Sequence, residues 1–253
     1  MNCRLLYLVG QLGLGGLERQ LFCLIEAMDR GRYQPVVAVW GNAPNDHYGP
    51  LLRVLDITVV ALGTKPTRSE KLQALRSLVS DLRPEVIHSY SFYTNILAWL
   101  AAQGSTAIPI GAVQSSFIAE RQNNWKLLGK ISARWPRAQI FNSDTAAQNA
   151  KNVATFFRPS RCYVVRNGVD LNRFSPQHHP ERGYILAVGS LLPVKRWDRL
   201  LRAVACLNEK GLKFQVLHAG SGPLRQELEA MAKELHVDHV FQFLGNRHDV
   251  ADL

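Results

Sequence analysis

Short apolar runs alternate with longer amphipathic segments along almost the whole chain, and this rhythm constrains the fold more than any single motif. It predicts strands over Arg4–Val9, Pro35–Trp40, Ile57–Leu62, Glu85–His88, Pro109–Val113, Ala138–Asn142 and Cys162–Arg166. Helices are predicted between most of them, over Gly16–Met28, Arg68–Leu82, Phe92–Gln103, Asn123–Ala133 and Ser143–Ala154. Ser143 has the character of an N-cap that starts its helix directly after a strand. Strands separated by helices call for a parallel sheet covered on both faces, an α/β architecture.

The stretch RNGVDLNRFSPQHHPERG, residues 166 to 183, breaks the rhythm. It is rich in turn formers and poor in apolar residues, as expected of an interdomain linker, or else of a long surface loop. Beyond it the alternation resumes with strands over Tyr184–Val188, Phe214–His218 and Val240–Leu244 and helices over Trp197–Leu207 and Pro223–Leu235. The expected organisation is therefore two domains, 1–170 and 171–253. A doubly wound domain usually carries about five or six strands, so three mark the second as incomplete.

A hydrophobic content of 47% with 20% charged residues belongs to a folded globular chain. The longest apolar stretch, Ile96–Ala102, is far short of the roughly 20 residues that a bilayer requires. The opening MNCRLLYLVGQLG has one positive charge and too short an apolar run for a signal peptide, so it reads as a buried strand. Cys3, Cys23, Cys162 and Cys206 lack metal-type spacing and each sits in an apolar run. They read as reduced, buried small hydrophobes, which points to the cytoplasm. Thirty Lys and Arg against 20 Asp and Glu give a net charge of +10, which favours an anionic partner such as a nucleotide, a phosphorylated substrate or a membrane surface. With no zinc-finger or RNA-recognition signature, and with basic residues spread along the chain, no nucleic-acid partner is expected.

The first strand exits into VGQLGLGGLERQLF, residues 9 to 22, with glycines at 10, 13, 15 and 16. Glycines between a strand and its helix let the backbone approach a ligand, and the helix N-terminus then offers N–H groups to an anion. The dinucleotide fingerprint G-x-G-x-x-G fails here, because Glu18 stands where its last glycine belongs and Trp40-Gly41-Asn42 closes the second strand without an acid. There is no Walker lysine either. The loop is a phosphate or sugar cradle of another kind, or a tight turn.

An ordered set of stretches narrows the choice. VGSLLPVKRWDRLLRA (188 to 203) and HAGSGPLRQELEAMAKELHVDHVFQFLG (218 to 245) resemble the C-terminal domain of family-four (group 1) glycosyltransferases. The first half agrees through G-x-G-G-x-E-R at 13 to 19, EVIHSYSFYTNILA at 85 to 98, FNSD at 141 to 144 and VVRNGVD at 164 to 170. The resemblance covers essentially the whole chain. It implies the GT-B fold, two Rossmann-like domains with the second incomplete. It also implies a nucleotide-sugar donor, UDP- or GDP-linked, on the C-terminal domain and a saccharide or lipid-linked acceptor on the N-terminal one. Transfer would retain anomeric configuration, with no cofactor and no metal, in polysaccharide or glycolipid assembly such as that of lipopolysaccharide. Without metal, fixed donors and cations must stabilise the charge that develops on the leaving diphosphate.

By this resemblance Lys195 contacts the diphosphate. Ser190 stands where the family often has arginine, Arg196 stands where glycine is more usual, and Gly15 and Gly16 bring the first-domain loop towards the diphosphate and transferred sugar. Gly220 and Gly222, with Pro223 at a helix start, form a second turn that lines the nucleotide site. Gly245-Asn246-Arg247 falls where the base is often read through backbone atoms. Glu18, His88, Tyr90 and Arg121 are the expected acceptor or sugar contacts; Tyr90 replaces a histidine that the family often aims at the sugar. The glutamates of the family's E-x7-E region would lie beyond residue 253, so the catalytic residues are unassigned and this polypeptide alone is expected to be inactive. The competing reading is a non-catalytic acceptor-binding module with a vestigial donor domain. Glu18 and the missing acid after the second strand disfavour a dinucleotide-dependent oxidoreductase.

In NNWKLLGKISARWPR, helical spacing puts Trp125, Leu127, Leu128, Ile131 and Trp135 on one broad face and Lys126, Lys130, Arg134 and Arg137 on another. Such a helix either packs on the sheet with a solvated basic face or lies in a membrane interface, as a peripheral contact on the inner face of the membrane.

Overall fold

A computed structural model describes residues 2–41, 46–123, 126–153, 156–174, 183–247 and 249–253. The chain divides into two compact units, Met1–Val169 and Asp170–Leu253.

The first unit carries seven strands: β1 Cys3–Val9, β2 Tyr33–Val39, β3 Thr58–Ala61, β4 Val86–Ser89, β5 Ile108–Val113, β6 Ala138–Phe141 and β7 Arg161–Val164. They form one sheet in the order β3-β2-β1-β4-β5-β6-β7, parallel throughout. Seven helices connect them: α1 Gly16–Glu26, α2 Tyr48–Val54, α3 Arg68–Leu82, α4 Asn95–Ala102, α5 Phe117–Asn123, α6 Lys126–Arg134 and α7 Asp144–Lys151. Side chains alternate across a strand, so β1 feeds two cores. Leu6 and Leu8 pack with Leu75 and Val79 of α3 and Ala98 and Ala101 of α4. Tyr7 and Val9 pack with Leu21 and Ile25 of α1 and Leu52 of α2. This two-sided burial is why β1 reads as an unbroken apolar run.

The helix starts follow local chemistry. Thr67 caps α3, accepting from the Glu70 N–H at 3.2 Å and donating to the Glu70 carboxylate at 2.9 Å. Ser143 accepts from the Ala146 N–H at the start of α7.

The second unit carries β8 Tyr184–Val188, β9 Gln215–Ala219 and β10 Phe241–Gly245 in the order β10-β9-β8, again parallel. Helices α8 Trp197–Glu209 and α9 Arg225–Glu234 cover it, and Leu201, Val204, Val216, Leu228 and Phe241 form its core.

Several expectations are corrected. Helix α2 and most of α5 fall where no helix was predicted. The helix predicted over Phe92–Gln103 begins as a 3-10 turn, Phe92–Thr94, and becomes α-helical at Asn95. The helix predicted over Asn123–Ala133 is represented by α5 and α6, with residues 124 and 125 outside the described residues. Trp135 follows the last residue of α6 and stacks on Trp99 of α4 at 5.0 Å. Trp125 lies outside the described residues, as do 175–182 of the linker. The cysteines are not buried: Cys3, Cys23 and Cys162 are intermediate and Cys206 is exposed. Nor is the basic charge evenly spread. Seven cations, Lys126, Lys130, Arg134, Arg137, Lys151, Arg158 and Arg161, fall within residues 126–161 against one acid, Asp144, which pairs with Arg166.

Candidate active site

Strand order reverses direction between β1 and β4, and in a doubly wound sheet the crevice at the carboxyl ends of such neighbours is where ligands bind. The glycine loop leaves β1 there, and SYSFYT leaves β4 beside it. The Ser91 hydroxyl accepts from the Gly10 N–H at 3.3 Å and joins the two turns. Behind them the Ser89 and Thr94 hydroxyls lie 2.8 Å apart, sharing a hydrogen bond, and both lie within hydrogen-bond distance of the Ser91 carbonyl, at 2.9 and 2.8 Å.

Gly15 and Gly16 are glycine for different reasons. A Cβ on Gly15 would stand 2.1 Å from Oε2 of Glu18, whose side chain folds back over the loop. A Cβ on Gly16 would meet nothing within 4 Å. At Gly15 the neighbour is the end of the Glu18 side chain, and at Gly16 there is open space at the start of α1. Glu18 is almost wholly buried. Burial raises its pKa, partly offset by hydrogen bonds from its own N–H and the Gln11 side chain. Tyr93 stands nearby: burial raises its hydroxyl pKa, and the charges of Glu18 and Glu120 raise it further. Arg121 follows Glu120 in α5, partly buried, with Nε lacking a partner among the described residues.

His88 and Tyr90 belong to an aromatic cluster. The His88 ring lies 5.4 Å from that of Tyr7 and 5.3 Å from that of Tyr90. Its Nε2 is buried without a partner, and burial lowers its pKa to about 4, so the ring is neutral at physiological pH. Burial raises the Tyr90 hydroxyl pKa to about 12.

In the second unit three strand-end loops interlock. Gly189 N donates to Ala219 O at 3.0 Å, Leu191 N to Ser221 O at 2.9 Å, and Gly220 N to Gly245 O at 2.7 Å. A Cβ on Gly220, at φ +153°, would stand 2.0 Å from the Gly189 carbonyl oxygen, and one on Gly222 would stand 2.6 Å from that of Leu191. Ser190 is fixed through its carbonyl, which accepts from the Trp197 indole at 2.8 Å. Lys195 closes a 3-10 turn, Pro193–Lys195, and is exposed; its ammonium has no partner among the described residues. Arg196 follows at φ 54°, the left-handed conformation that explains why glycine suits this position. Its guanidinium grips Asp198 through two bonds of 2.9 and 2.8 Å, which hold the Asp198 pKa down to about 2. Beneath the loops His218 is fully buried, edge-on to Trp197 at 4.4 Å, with neither ring nitrogen partnered.

The first-unit candidates Gly15, Gly16, Glu18, His88 and Tyr90 thus gather at the carboxyl ends of β1 and β4. The second-unit candidates Ser190, Lys195, Arg196, Gly220 and Gly222 gather around the loops after β8 and β9. The sequence reading gave no role to Ser89, Ser91, Thr94 and Asn95. Asn95 is buried; its amide donates to Ala112 O at 3.2 Å and accepts from Ala112 N at 3.0 Å, completing the edge of β5. Their one signal was a run of small polar residues between a strand and an apolar helix.

Two α/β units, each with glycine turns at the carboxyl ends of parallel strands, define the GT-B class of sugar-transferring proteins. The chain belongs to glycosyltransferase family 4: the model of that family matches residues 14–173, and that of glycosyl transferases group 1 matches residues 169–253. EpsF of Bacillus subtilis, assigned as a glycosyltransferase, is 24% identical over 99% of this chain and 70% of its own length. A GDP-mannose-dependent phosphatidylinositol dimannoside mannosyltransferase of Mycobacterium tuberculosis is 30% identical over 71% of this chain; the chain spans about half of that relative, 51%. Among solved structures, Anabaena HepE in complex with UDP-glucose superposes with a TM-score of 0.78 at 16% identity, covering 98% of this chain and 70% of that one. Sucrose-phosphate synthase from Thermosynechococcus elongatus gives 0.77 at 15% identity, covering 97% and 71%.

Proposed function

We propose that this chain provides the acceptor unit and donor-loop region of a retaining glycosyltransferase. It moves a sugar from a UDP- or GDP-linked donor to a saccharide or lipid-linked acceptor, without metal, in polysaccharide or glycolipid assembly. The observation that carries the reading is Lys195: an exposed ammonium, without a protein partner among the described residues, on a turn packed against glycine loops. A leaving nucleoside diphosphate gains negative charge as the glycosyl bond breaks, and a cation with donors at hand stabilises that charge more than the ground state. The Ser190 hydroxyl and the backbone around Gly220 and Gly222 supply the donors. Arg196, committed to Asp198, holds the turn.

In the first unit Gly16 leaves room for the transferred sugar, Glu18 accepts from its hydroxyls or from those of the acceptor, and Arg121 meets an anionic acceptor. His88 and Tyr90 form the floor. The relatives support this reading: one uses GDP-mannose on a phosphatidylinositol mannoside, and one from Campylobacter jejuni acts on a diphospho-undecaprenol-linked saccharide. No described helix is long and apolar enough to cross a membrane. We place the protein in the cytoplasm, peripheral on the inner face of the membrane, with the cations of residues 126–161 towards anionic lipid.

Calorimetric titration with UDP and GDP tests the core of this proposal. Lys195→Ala is expected to weaken the preferred nucleotide about tenfold with an unchanged melting temperature, as fits the loss of a charge-assisted contact. Equal affinity in this variant, or no binding of either nucleotide by the parent chain, would remove the donor assignment.

A further inference from the structure

A cavity of about 520 Å³ opens in the first unit between α3, α4 and α6. Its wall is hydrocarbon almost throughout: Trp40, Leu72, Ile96, Leu97, Leu100 and Leu128. The polar residues are Arg68 and Ser69 at the start of α3, Ser132 of α6, and Tyr93. A sugar buried here would leave most of its hydroxyls without partners, at a cost that rules against it, whereas every buried methylene gains. The volume lies in the range of sites that enclose small ligands.

One end carries positive charge. Arg68 is the first residue of the 15-residue helix α3, whose N-terminus adds partial positive charge. Lys71, one turn on, donates to the Trp40 carbonyl at 3.2 Å and lies 5.9 Å from the Trp40 ring. The acid on this turn, Glu70, is engaged by the cap residue Thr67. Tyr93 joins the cavity to the glycine loop: its hydroxyl sits where a Cβ on Gly10 would be, 1.4 Å away. Beside the cavity, Leu127 of α6 is 66% exposed, an apolar surface continuous with the wall residue Leu128.

We propose that this cavity holds the hydrocarbon chain of an acceptor lipid whose head group is anionic, with the head beside Arg68. The proposal rests on the transferase reading for the word acceptor, and it narrows the acceptor to the lipid-linked kind. Tyr93 lines the cavity and packs against Gly10 of the glycine loop.

The test is binding of cis-parinaric acid, a fluorescent fatty acid, to the full chain, followed by displacement with dodecyl phosphate, dodecanol or glucose 1-phosphate. Saturable one-to-one binding is expected. Dodecyl phosphate should displace the probe about fivefold better than dodecanol, as suits a half-exposed charge pair, and glucose 1-phosphate should not displace it. Ser69→Trp and Leu128→Trp fill the cavity from two walls without touching the buried core, and each should weaken the probe about tenfold with an unchanged melting temperature. Arg68→Gln should erase the preference for the phosphate. Non-saturable binding, indifference to both tryptophan variants, or equal displacement by dodecyl phosphate and dodecanol overturns the proposal. Nucleotide binding without a chain site sinks this inference alone; a chain site without nucleotide binding sinks the donor reading and keeps the cavity.

Discussion

At the carboxyl edge of the first unit, Glu18 lies over Gly15, and Tyr93 and a neutral His88 stand close by. At the corresponding edge of the second, Lys195, Arg196 and Arg247 crown loops that hydrogen-bond to one another. Both edges end parallel strands in glycine turns. In the first the turn is open at Gly16, and Glu18 and aromatic rings surround it; in the second the glycines are jammed against neighbouring carbonyls, Arg196 and Arg247 are each paired with an aspartate, and Lys195 stands exposed. Glycine turns at the carboxyl ends of parallel strands therefore end in different chemistry in the two units.

The comparison is broken most directly at the glycines. Gly220→Val drives a side chain into the Gly189 carbonyl at a positive φ, and should destabilise the second unit by about 3 kcal/mol or more in urea unfolding. Gly16→Val, with open space around it, should leave the first unit's unfolding midpoint unchanged while impairing sugar transfer in the complete enzyme. Equal structural damage from both would show the two turns to be built alike.

Each unit also holds a histidine near its turns, His218 fully buried and His88 with its Nε2 buried, and desolvation lowers the pKa of both. A depressed histidine stays neutral in the folded state while the unfolded chain takes up a proton below pH 6.5. Stability is therefore full above that pH and is lost as pH falls; for His88 the loss runs from about 6.5 towards 4, at up to roughly 1 kcal/mol per pH unit. His88→Phe should flatten that slope in acid titrations of unfolding, and an unchanged slope assigns the loss elsewhere. Neither nitrogen of His218 has a partner among the described residues, so His218→Leu should stabilise the second unit by about 1 kcal/mol. A destabilised variant would reveal a partner for the imidazole.

The smallest effect is expected at Arg196. Replacement by glycine relieves the left-handed backbone but removes the Asp198 pair. Nucleotide affinity should change less than about twofold, because the guanidinium is already engaged. A larger loss would make Arg196 a direct ligand and bring the charge on the second unit into sharper focus.

The sheet of the first unit was legible because strands covered on both faces must be apolar throughout, as Arg4–Val9 is after its first residue. Helix α2 was not, because it is only seven residues long and carries Gly49 and Pro50, which disfavour a helix interior; in the first helical turn a missing N–H costs nothing and proline fits. Spacing alone flagged the glycine turns, and the mismatch at Arg196 flagged a position that its φ of 54° explains. Glu18 folding over Gly15 was not legible, because a motif records order and not direction. Nor was Asn95, whose partner is backbone 17 residues away. The cysteines misled because an apolar neighbourhood in sequence places a residue in an element without saying which face it takes.

Among the described residues strand β8 ends its sheet, and along it Ile185 is 48% and Val188 50% exposed. An outer strand of this kind carries backbone groups ready to pair, with apolar side chains to reward the pairing. Recovery from denaturant should therefore be a race between two orders of reaction. Folding of a single chain is independent of dilution, and strand capture between chains grows with the square of concentration. Yield should climb steeply as the refolding mixture is thinned, and a lysine at position 185 should make it insensitive to dilution.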